Sequence, residues 1–320
     1  MEMEGKPQVS ITLLSGGTGT PKLLLGVREL LDDKMLTIIG NTGDDDIFFG
    51  LLVSPDIDSL IYLFSNQLDL EKFWGVEDET YNALQQLGMM KEPTWFQLGD
   101  KDLALHLTRN RLLSCGYTLT EAINEICIKL EITAKIVPMT DDPVKTTMLN
   151  EKNERLSFQE YTVKFREQIP VKAVHYKGSE KAKATEEAIN AIKNANAIIL
   201  GPSNPITSVG PMLALPGIKN ALIKSKAKVI AVSPLDSGKA FSGPAVRLLK
   251  ELGYEASSLG IANMYKDFLD VMVISSNDSE LGENIQNLGI KVICTNISLK
   301  SKTEQINLAK IILKEVGIIF

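Results

Sequence analysis

The sequence predicts an α/β protein: a doubly wound, Rossmann-like, mostly parallel sheet with an inserted helical and small β region. Two observations carry the prediction. Short apolar runs of strand length recur along the chain, and helical patterns alternate with them in the βαβ rhythm of a parallel sheet. Four of the loops that follow these runs, SGGTGTPK, GNTGDDD, GPSNPITS and SPLDSGKAFSGP, are rich in Gly, Ser, Thr, Asn or Pro. In a parallel α/β sheet such carboxyl-end loops converge on one crevice, the usual ligand site.

Taken in order, Val9 to Leu14 form a first strand that stops at Ser15-Gly16-Gly17. A helix begins at Pro21, where the missing N–H would have been unpaired anyway. Met35 to Ile39 form a second strand, ending in Gly-Asn-Thr-Gly. An apolar run, Ile47 to Val53, then separates Asp44, Asp45 and Asp46 from Asp56 and Asp58. Helical patterns over Ser59–Leu68, Thr80–Leu87, Asp100–Ser114 and Thr120–Leu130 make a mostly helical insertion, about 59–132, without linker composition. Ala134 to Pro138 is a strand ending in PMTDDP. In LSFQEYTVKF, Leu156 and Phe158, then Tyr161, Val163 and Phe165, alternate with polar residues. That period of two predicts a small half-exposed β element, about 154–176, with a bulge where the phase shifts. Thr185–Lys193 reads as helix, and Ala197–Leu200, Lys228–Val232, Val271–Ser275 and Lys291–Cys294 as strands. The last helix places Leu308, Ile312 and Val316 on one face. The whole reads as a single α/β domain over residues 1–320.

Composition narrows the function. At 44% hydrophobic and 23% charged residues, the chain has the apolar material for a substantial core. A net charge of −6 argues against a broad nucleic-acid or membrane-surface footprint, which would need a basic excess. A small anionic ligand needs only a few local donors or a metal ion. Cys115, Cys127 and Cys294 form no CxxC pair and read as reduced core residues of a cytoplasmic protein. The N-terminal MEMEGKPQVS carries no basic-then-apolar signal, and no apolar run approaches the roughly 20 residues that cross a bilayer.

The first loop has the composition of a phosphate cradle. Gly16, Gly17 and Gly19 allow close backbone approach, and the helix that follows offers free N–H groups and a positive dipole end. It is neither a Walker A motif nor a complete GxGxxG, because Lys22 stands at the third glycine position. Lys22 would add a point charge beside an anion. The aspartate cluster has two readings on spacing alone. Asp58 caps a helix from Ser59 while the others lie in a wet loop, or Asp45 and Asp58, on either side of the apolar run, face one cation. His106 and His175 lack metal-ligand spacing and read as packing or surface residues. Trp74, Trp95 and Phe96 are either core or the wall of an aromatic ligand site. No GxSxG element supports a hydrolase triad.

SGGTGTPKLLLG, NTGDDD, SPDIDSLIYLF, WGVEDET, LGDKDLALH, PMTDDPV, GPSNPITSVGP and DFLDVMV, in that order from about Ile11 to Val273, resemble the 2-phospho-L-lactate transferase family. The likeness is specific, because GPSNPITS and LGDKDLA are not generic features of the fold. It implies a Mg²⁺-dependent transferase of coenzyme F(420) biosynthesis. Such enzymes join the ribityl hydroxyl of the deazaflavin 7,8-didemethyl-8-hydroxy-5-deazariboflavin to the phospholactyl group of lactyl-2-diphospho-5′-guanosine, or of an enolpyruvyl counterpart, and release GMP. It also points to a homodimer. Carried over by position, Asp45 matches the acid of the family's NTxxD segment and is the first metal-site choice, Asp58 matches the last aspartate of SPDLD at the deazaflavin and metal site, and Asp44 stands where the family also carries an acid. The expected catalytic pair is therefore Asp58 and Asp45. Asp46 stands where some relatives are apolar. Gln97 falls where relatives place a basic deazaflavin contact, so here an uncharged group replaces it. Fold position assigns Gly17, Thr18, Thr20, Lys22, Ser203, Asn204, Ser242 and Gly243 to the guanosine diphosphate half.

Two rivals remain at this level. A related Rossmann-like group resembles the chain in its glycine loop but acts as a nucleotide-sugar-binding regulatory module; SPDIDS, LGDKDLA and the helical insertion favour the transferase. An NAD-dependent dehydrogenase suffers from the missing third glycine and lacks a well-placed ribose-binding acid, although Asp44 could imitate one.

Overall fold

A computed structural model describes residues 9–318; most of the N-terminal stretch read above for a signal segment lies outside them. The centre is a seven-stranded, wholly parallel sheet of β1 (Ile11–Ser15), β2 (Leu36–Gly40), β3 (Lys135–Pro138), β4 (Ala197–Leu200), β5 (Lys228–Val232), β6 (Val271–Ser275) and β7 (Lys291–Thr295). The spatial order is β7-β6-β5-β4-β1-β2-β3. The α/β architecture is the one expected, and the strand direction of growth reverses between β1 and β4. In such sheets that switch point is where a crevice opens.

Six of the strands are largely apolar because both faces are covered, whereas the edge strand β7 is only half-buried, with Lys291 and Cys294 exposed. Ile11 and Leu13 enter one core with α1 (Gly19–Arg28), α2 (Pro55–Phe64) and the helix Lys302–Glu315, whereas Leu14 enters the other core on the opposite face. Fully burying each such side chain contributes about 1.5–3 kcal/mol. That exceeds the roughly 1 kcal/mol net of a ladder hydrogen bond, so burial on two faces dominates. α1 lies so close to the C-terminal helix that a Cβ at Gly26 would sit 2.1 Å from the Gln305 carbonyl oxygen. Only glycine permits that approach.

The insertion holds α2, α3 (Asn82–Met89), α4 (Asp100–Ser114) and α5 (Leu119–Lys129). α2 begins four residues before the expected Ser59, with Pro55 in its first turn, so Asp58 lies inside the helix rather than capping it. The run Ile47 to Val53 is not a buried crossing segment. It is a hairpin of Asp46–Phe48 and Leu51–Val53, turned by Phe49 and Gly50 at φ +51° and +79°. Positive φ at both turn residues suits the twist of a two-residue hairpin loop, and Ile47 is left 59% exposed.

A three-stranded antiparallel sheet of Lys145–Asn150, Arg155–Ser157 and Val171–Lys177 stands apart from the main sheet. The alternation read through Phe165 ends early, because Glu160–Lys164 coil into a π-helical turn. Ser157 and Glu160 exchange hydrogen bonds, the Ser157 N–H donating at 3.0 Å and the Glu160 N–H at 3.2 Å, and this local box stops the strand. The cysteines also depart from expectation: only Cys127 is core, and Cys115 and Cys294 are exposed. Among the described residues no helix is long and apolar enough to cross a membrane.

Candidate active site

The loops after β1 and β4 meet at the switch point. Ser203 donates to the Gly16 carbonyl at 2.7 Å, and its hydroxyl lies 2.8 Å from that of Thr20. Gly16 is required by packing, since its Cβ would lie 2.6 Å from that of Ser208, and Gly17 turns at φ +64°. Thr18 precedes α1 and caps it with no side-chain hydrogen bond, so the first amides of the helix stay free for an anion. The Thr18 hydroxyl is 3.1 Å from that of Ser242, which brings the Ser242-Gly243-Pro244 turn to the same loop. The Asn204 Oδ1 accepts from the N–H groups of Ile206 and Thr207, while its Nδ2 is buried without a partner. Lys22 points aside. Its ammonium stands 4.8 Å from the centroid of the Phe73 ring, and burial lowers its pKa.

The hairpin returns the chain on itself, so the aspartates on either side of it come together. Buried Asn41 links two of them, its Nδ2 donating to Asp56 Oδ2 at 2.9 Å and to Asp44 Oδ2 at 3.1 Å. Asp56 Oδ1 accepts from the Gly17 N–H at 2.7 Å, which ties this cluster to the glycine loop. Ser54 links the other two, its hydroxyl donating to Asp45 Oδ1 at 2.7 Å and its N–H to Asp58 Oδ2 at 3.2 Å. Asp46 turns outward and pairs with Lys145 at 2.6 Å.

Their electrostatic settings differ. Burial first, then the charges of Asp56 and Asp45, push Asp44 well above the carboxylate range. Burial likewise raises Asp45, and raises Asp56 to about 6. Asp58 instead has a partner: Arg109 of α4, fully buried, forms an ion pair with it and also donates to the Leu52 carbonyl at 3.3 Å. Burial brings Arg109 down to about 10, which leaves it charged at neutral pH. His106, one turn earlier on α4, has Nδ1 3.6 Å from Asp58 Oδ2, and burial lowers its pKa to about 4. It is a neutral imidazole at pH 7.

A cavity of about 450 Å³, a size that suits small organic ligands, opens above these groups. Asp44, Asp56, Asp58 and Asp102 lie on its floor and sides, and Trp74, Trp95, Phe96 and Phe158 give it aromatic walls. Phe96 stacks on Phe48 at 3.8 Å between ring centroids, with Trp95 edge-on at 5.4 Å from Phe48, so this wall is rigid. Asp102 accepts from the Tyr62 hydroxyl at 2.7 Å.

Of the residues singled out in the sequence, Asp44, Asp58 and Gln97 line the cavity, Trp74, Trp95 and Phe96 are its wall, and His106, read as a packing or surface residue, lines it too. Asp45 faces Ser54 and a separate hollow beyond the hairpin. The glycine-loop group, Gly17, Thr18, Thr20, Ser203, Asn204 and Ser242, assembles at the switch point, with Gly243 in the adjoining turn at φ +65°. Sequence reasoning missed three groups. Asp56 was read only as one of five acids, yet it is the acid that touches both halves. Arg109 and His106 carried a usable signal: Arg109 falls between Leu105 and Leu112 on the buried stripe of α4, where an arginine requires a buried partner.

Cation chemistry can be tested on the donor set. Asp44 Oδ1 is buried outside hydrogen-bond geometry, with the likewise unpartnered Thr146 hydroxyl near enough to act on its charge. A carboxylate oxygen so placed suits a hard cation, which would also relieve the repulsion from Asp56 and Asp45. Among the described residues no group of three or more Asp, Glu, His or Cys is arranged to hold a metal. A cation here would therefore use one or two carboxylates, Asp44 foremost, and complete its shell with substrate oxygens and water.

Comparison with known proteins gives concordant results. The family profile described as 2-phospho-L-lactate transferase CofD matches residues 11–308. The chain is 41% identical over 310 residues to the 2-phospho-L-lactate transferase of Methanocaldococcus jannaschii, covering 96% of this chain and 98% of that one. It is 39% identical over 303 residues to the protein of the same name from Methanosarcina barkeri, covering 94% and 96%. A solved structure of a UPF0052-family protein from Bacillus halodurans superimposes with a TM-score of 0.65 at 18% identity, over 97% of this chain and 100% of that one. That last likeness concerns the fold alone.

Proposed function

We propose, since this chain belongs to the 2-phospho-L-lactate transferase family, that it joins the phospholactyl group of lactyl-2-diphospho-5′-guanosine to the terminal ribityl hydroxyl of 7,8-didemethyl-8-hydroxy-5-deazariboflavin in coenzyme F(420) biosynthesis. The observation that carries the reading is Asp56, which joins an anion-binding glycine loop on one side to a carboxylate-floored aromatic cavity on the other. The donor diphosphate takes the loop, where the free amides of α1, Ser203 and Asn204 supply donors. The planar acceptor takes the cavity, between Trp74, Trp95 and Phe96.

The hydroxyl oxygen then bonds to the phosphorus of the phospholactyl group as the bond from that phosphorus to the GMP oxygen breaks. Asp58 faces the hydroxyl and accepts its proton; Arg109 fixes the carboxylate in place through the ion pair. Mg²⁺ supplies charge neutralisation of the diphosphate and the leaving oxygen when bound, and Asp44 is the residue that would hold it. Lactyl and enolpyruvyl donors differ by a few atoms, so both belong in the test. Purified protein, the deazaflavin, either donor and Mg²⁺ should yield GMP and a deazaflavin product of the added mass, and EDTA should stop both. Donor binding without turnover would replace this reading with the nucleotide-binding module.

Lys22→Ala is expected to raise the donor KM about three- to tenfold while leaving kcat near wild type, the signature of lost uniform binding, which requires the ammonium to leave the Phe73 face when the donor binds. An unchanged KM would mean that the ammonium serves only its stacking on Phe73.

A further inference from the structure

The segment between the strands Arg155–Ser157 and Val171–Lys177 takes no part in the mechanism above, yet it closes one side of the cavity through Phe158, Gln159, Thr162, Val163 and Arg166. It is built in an unusual way. Glu160–Lys164 form a π-helical turn, a conformation that is rare and often marks functional sites. One residue beyond it, after Phe165, Arg166 and Glu167 both adopt left-handed backbone, at φ +49° and +61°. Such strain in consecutive residues other than glycine persists only where the surroundings over-determine it.

The clamp is Arg247. Its guanidinium donates to the Glu167 carbonyl and, at 3.4 Å, to the Gln168 carbonyl, and Glu251 accepts from its Nε at 2.6 Å. The other oxygen of Glu251 accepts from the Val171 N–H at 2.9 Å. One helix, Ala245–Glu251, thus staples the segment at its tightest point and at its exit. At the inner end, Gln159 Nε2 donates to the Asp44 carbonyl at 3.0 Å, so the segment is fixed to the aspartate cluster as well.

What this construction presents to the cavity is Arg166. It is the only Lys or Arg among the described residues that line the cavity, which four aspartates, Asp44, Asp56, Asp58 and Asp102, also line. Its own side chain makes no hydrogen bond or ion pair with a described residue. A guanidinium set beside a cavity, unpaired, on backbone held by a different arginine, is arranged for a ligand rather than for the fold. We infer that Arg166 receives the anionic end of the donor's transferred half, a carboxylate or phosphate oxygen pair that matches its planar fork. The inference rests on the transferase reading for the identity of the donor. Arg166 would then balance on the substrate side what the aspartates impose from below, and would hold the transferred group against the attacking hydroxyl.

Equilibrium titration tests this without needing turnover. Lactyl-2-diphospho-5′-guanosine, its enolpyruvyl counterpart and GDP would each be titrated into wild-type protein, Arg166→Gln and Arg166→Lys in the presence of Mg²⁺. The expected result is that both donors bind wild type more tightly than GDP does. Arg166→Gln should then weaken donor binding about ten- to hundredfold with GDP affinity unchanged, and Arg166→Lys should recover part of the loss. Arg166 is exposed, so the melting temperatures of the three proteins should agree. Donor affinity unaltered in Arg166→Gln would overturn the inference, and so would GDP and donors weakening equally. Failure of the transfer assay in wild type is a separate outcome and bears on the function, because these affinities are read without it.

Discussion

Asp58→Ala is expected to abolish transfer and, at the same time, to lose about 3–5 kcal/mol of folding stability, because it strands Arg109 in the core. From the sequence alone Asp58 is a helix cap or a cation ligand, and nothing in its spacing points to a buried partner that its loss would strand. The structure makes it one half of an ion pair in which Asp58 is 4% exposed and Arg109 fully buried. Removing one charge of such a pair leaves the other with its full desolvation cost and no compensation. Urea denaturation of the variant measures the stability, and GMP release measures the activity. The double variant Asp58→Ala/Arg109→Met separates the two effects. With both charges gone the stability should return most of the way to wild type, whereas transfer stays lost. A single Asp58→Ala protein as stable as wild type would mean that Arg109 finds another partner. A double variant with activity would remove Asp58 from the reaction.

Asp44→Asn should cut transfer roughly 10²–10³-fold, the effect of losing a cation worth several kcal/mol to the transition state. The metal-free protein should respond in the opposite sense and become more stable at pH 7. Burial and neighbouring carboxylates raise the Asp44 pKa, so its ionised form is a burden on the fold that asparagine does not carry. Asp56, raised from the ordinary 3.8 to about 6, defines the pH window of the cluster. Between those values the folded protein binds more protons than the unfolded chain, so stability without metal declines as pH rises from about 4 to about 6 and stays low above it. Adding Mg²⁺ should raise the melting temperature of wild type more at pH 7 than at pH 5, and should do little for Asp44→Asn. An equal Mg²⁺ response in both proteins would place the cation elsewhere.

The parts of this molecule that could be read from its sequence are those governed by local pattern. Six buried parallel strands and the half-buried edge strand β7 are short, apolar-rich runs, and all seven lie where those runs are. The loops of the switch point announced themselves by composition, and the structure brings Thr20 to Ser203 and Thr18 to Ser242. The division of labour among the aspartates was not legible. It depends on how the hairpin folds back, which decides that Asp56 meets Gly17 and that Asp58 meets Arg109. Spacing along the chain cannot distinguish Asp56 from Asp58, two positions apart on the same helix. The π-helical turn was misread for a related reason. Tyr161 and Val163 alternate as a strand would, and only the Ser157–Glu160 exchange, a side-chain event, ends the pleat there.

The bond between Thr20 and Ser203 joins residues 183 positions apart. The strands that lead into them, β1 and β4, are neighbours in the sheet although the whole helical insertion, β2, β3 and the small sheet lie between them in the chain. Closing so long a loop costs chain entropy before the contact rewards it, and topologies rich in such separations fold slowly. An emerging chain would hold its glycine loop without the partners that shape it until β4 has been made. The glycine loop thus gains its native partners only once β4 has been made, and an N-terminal fragment ending before Ala197 would lack them.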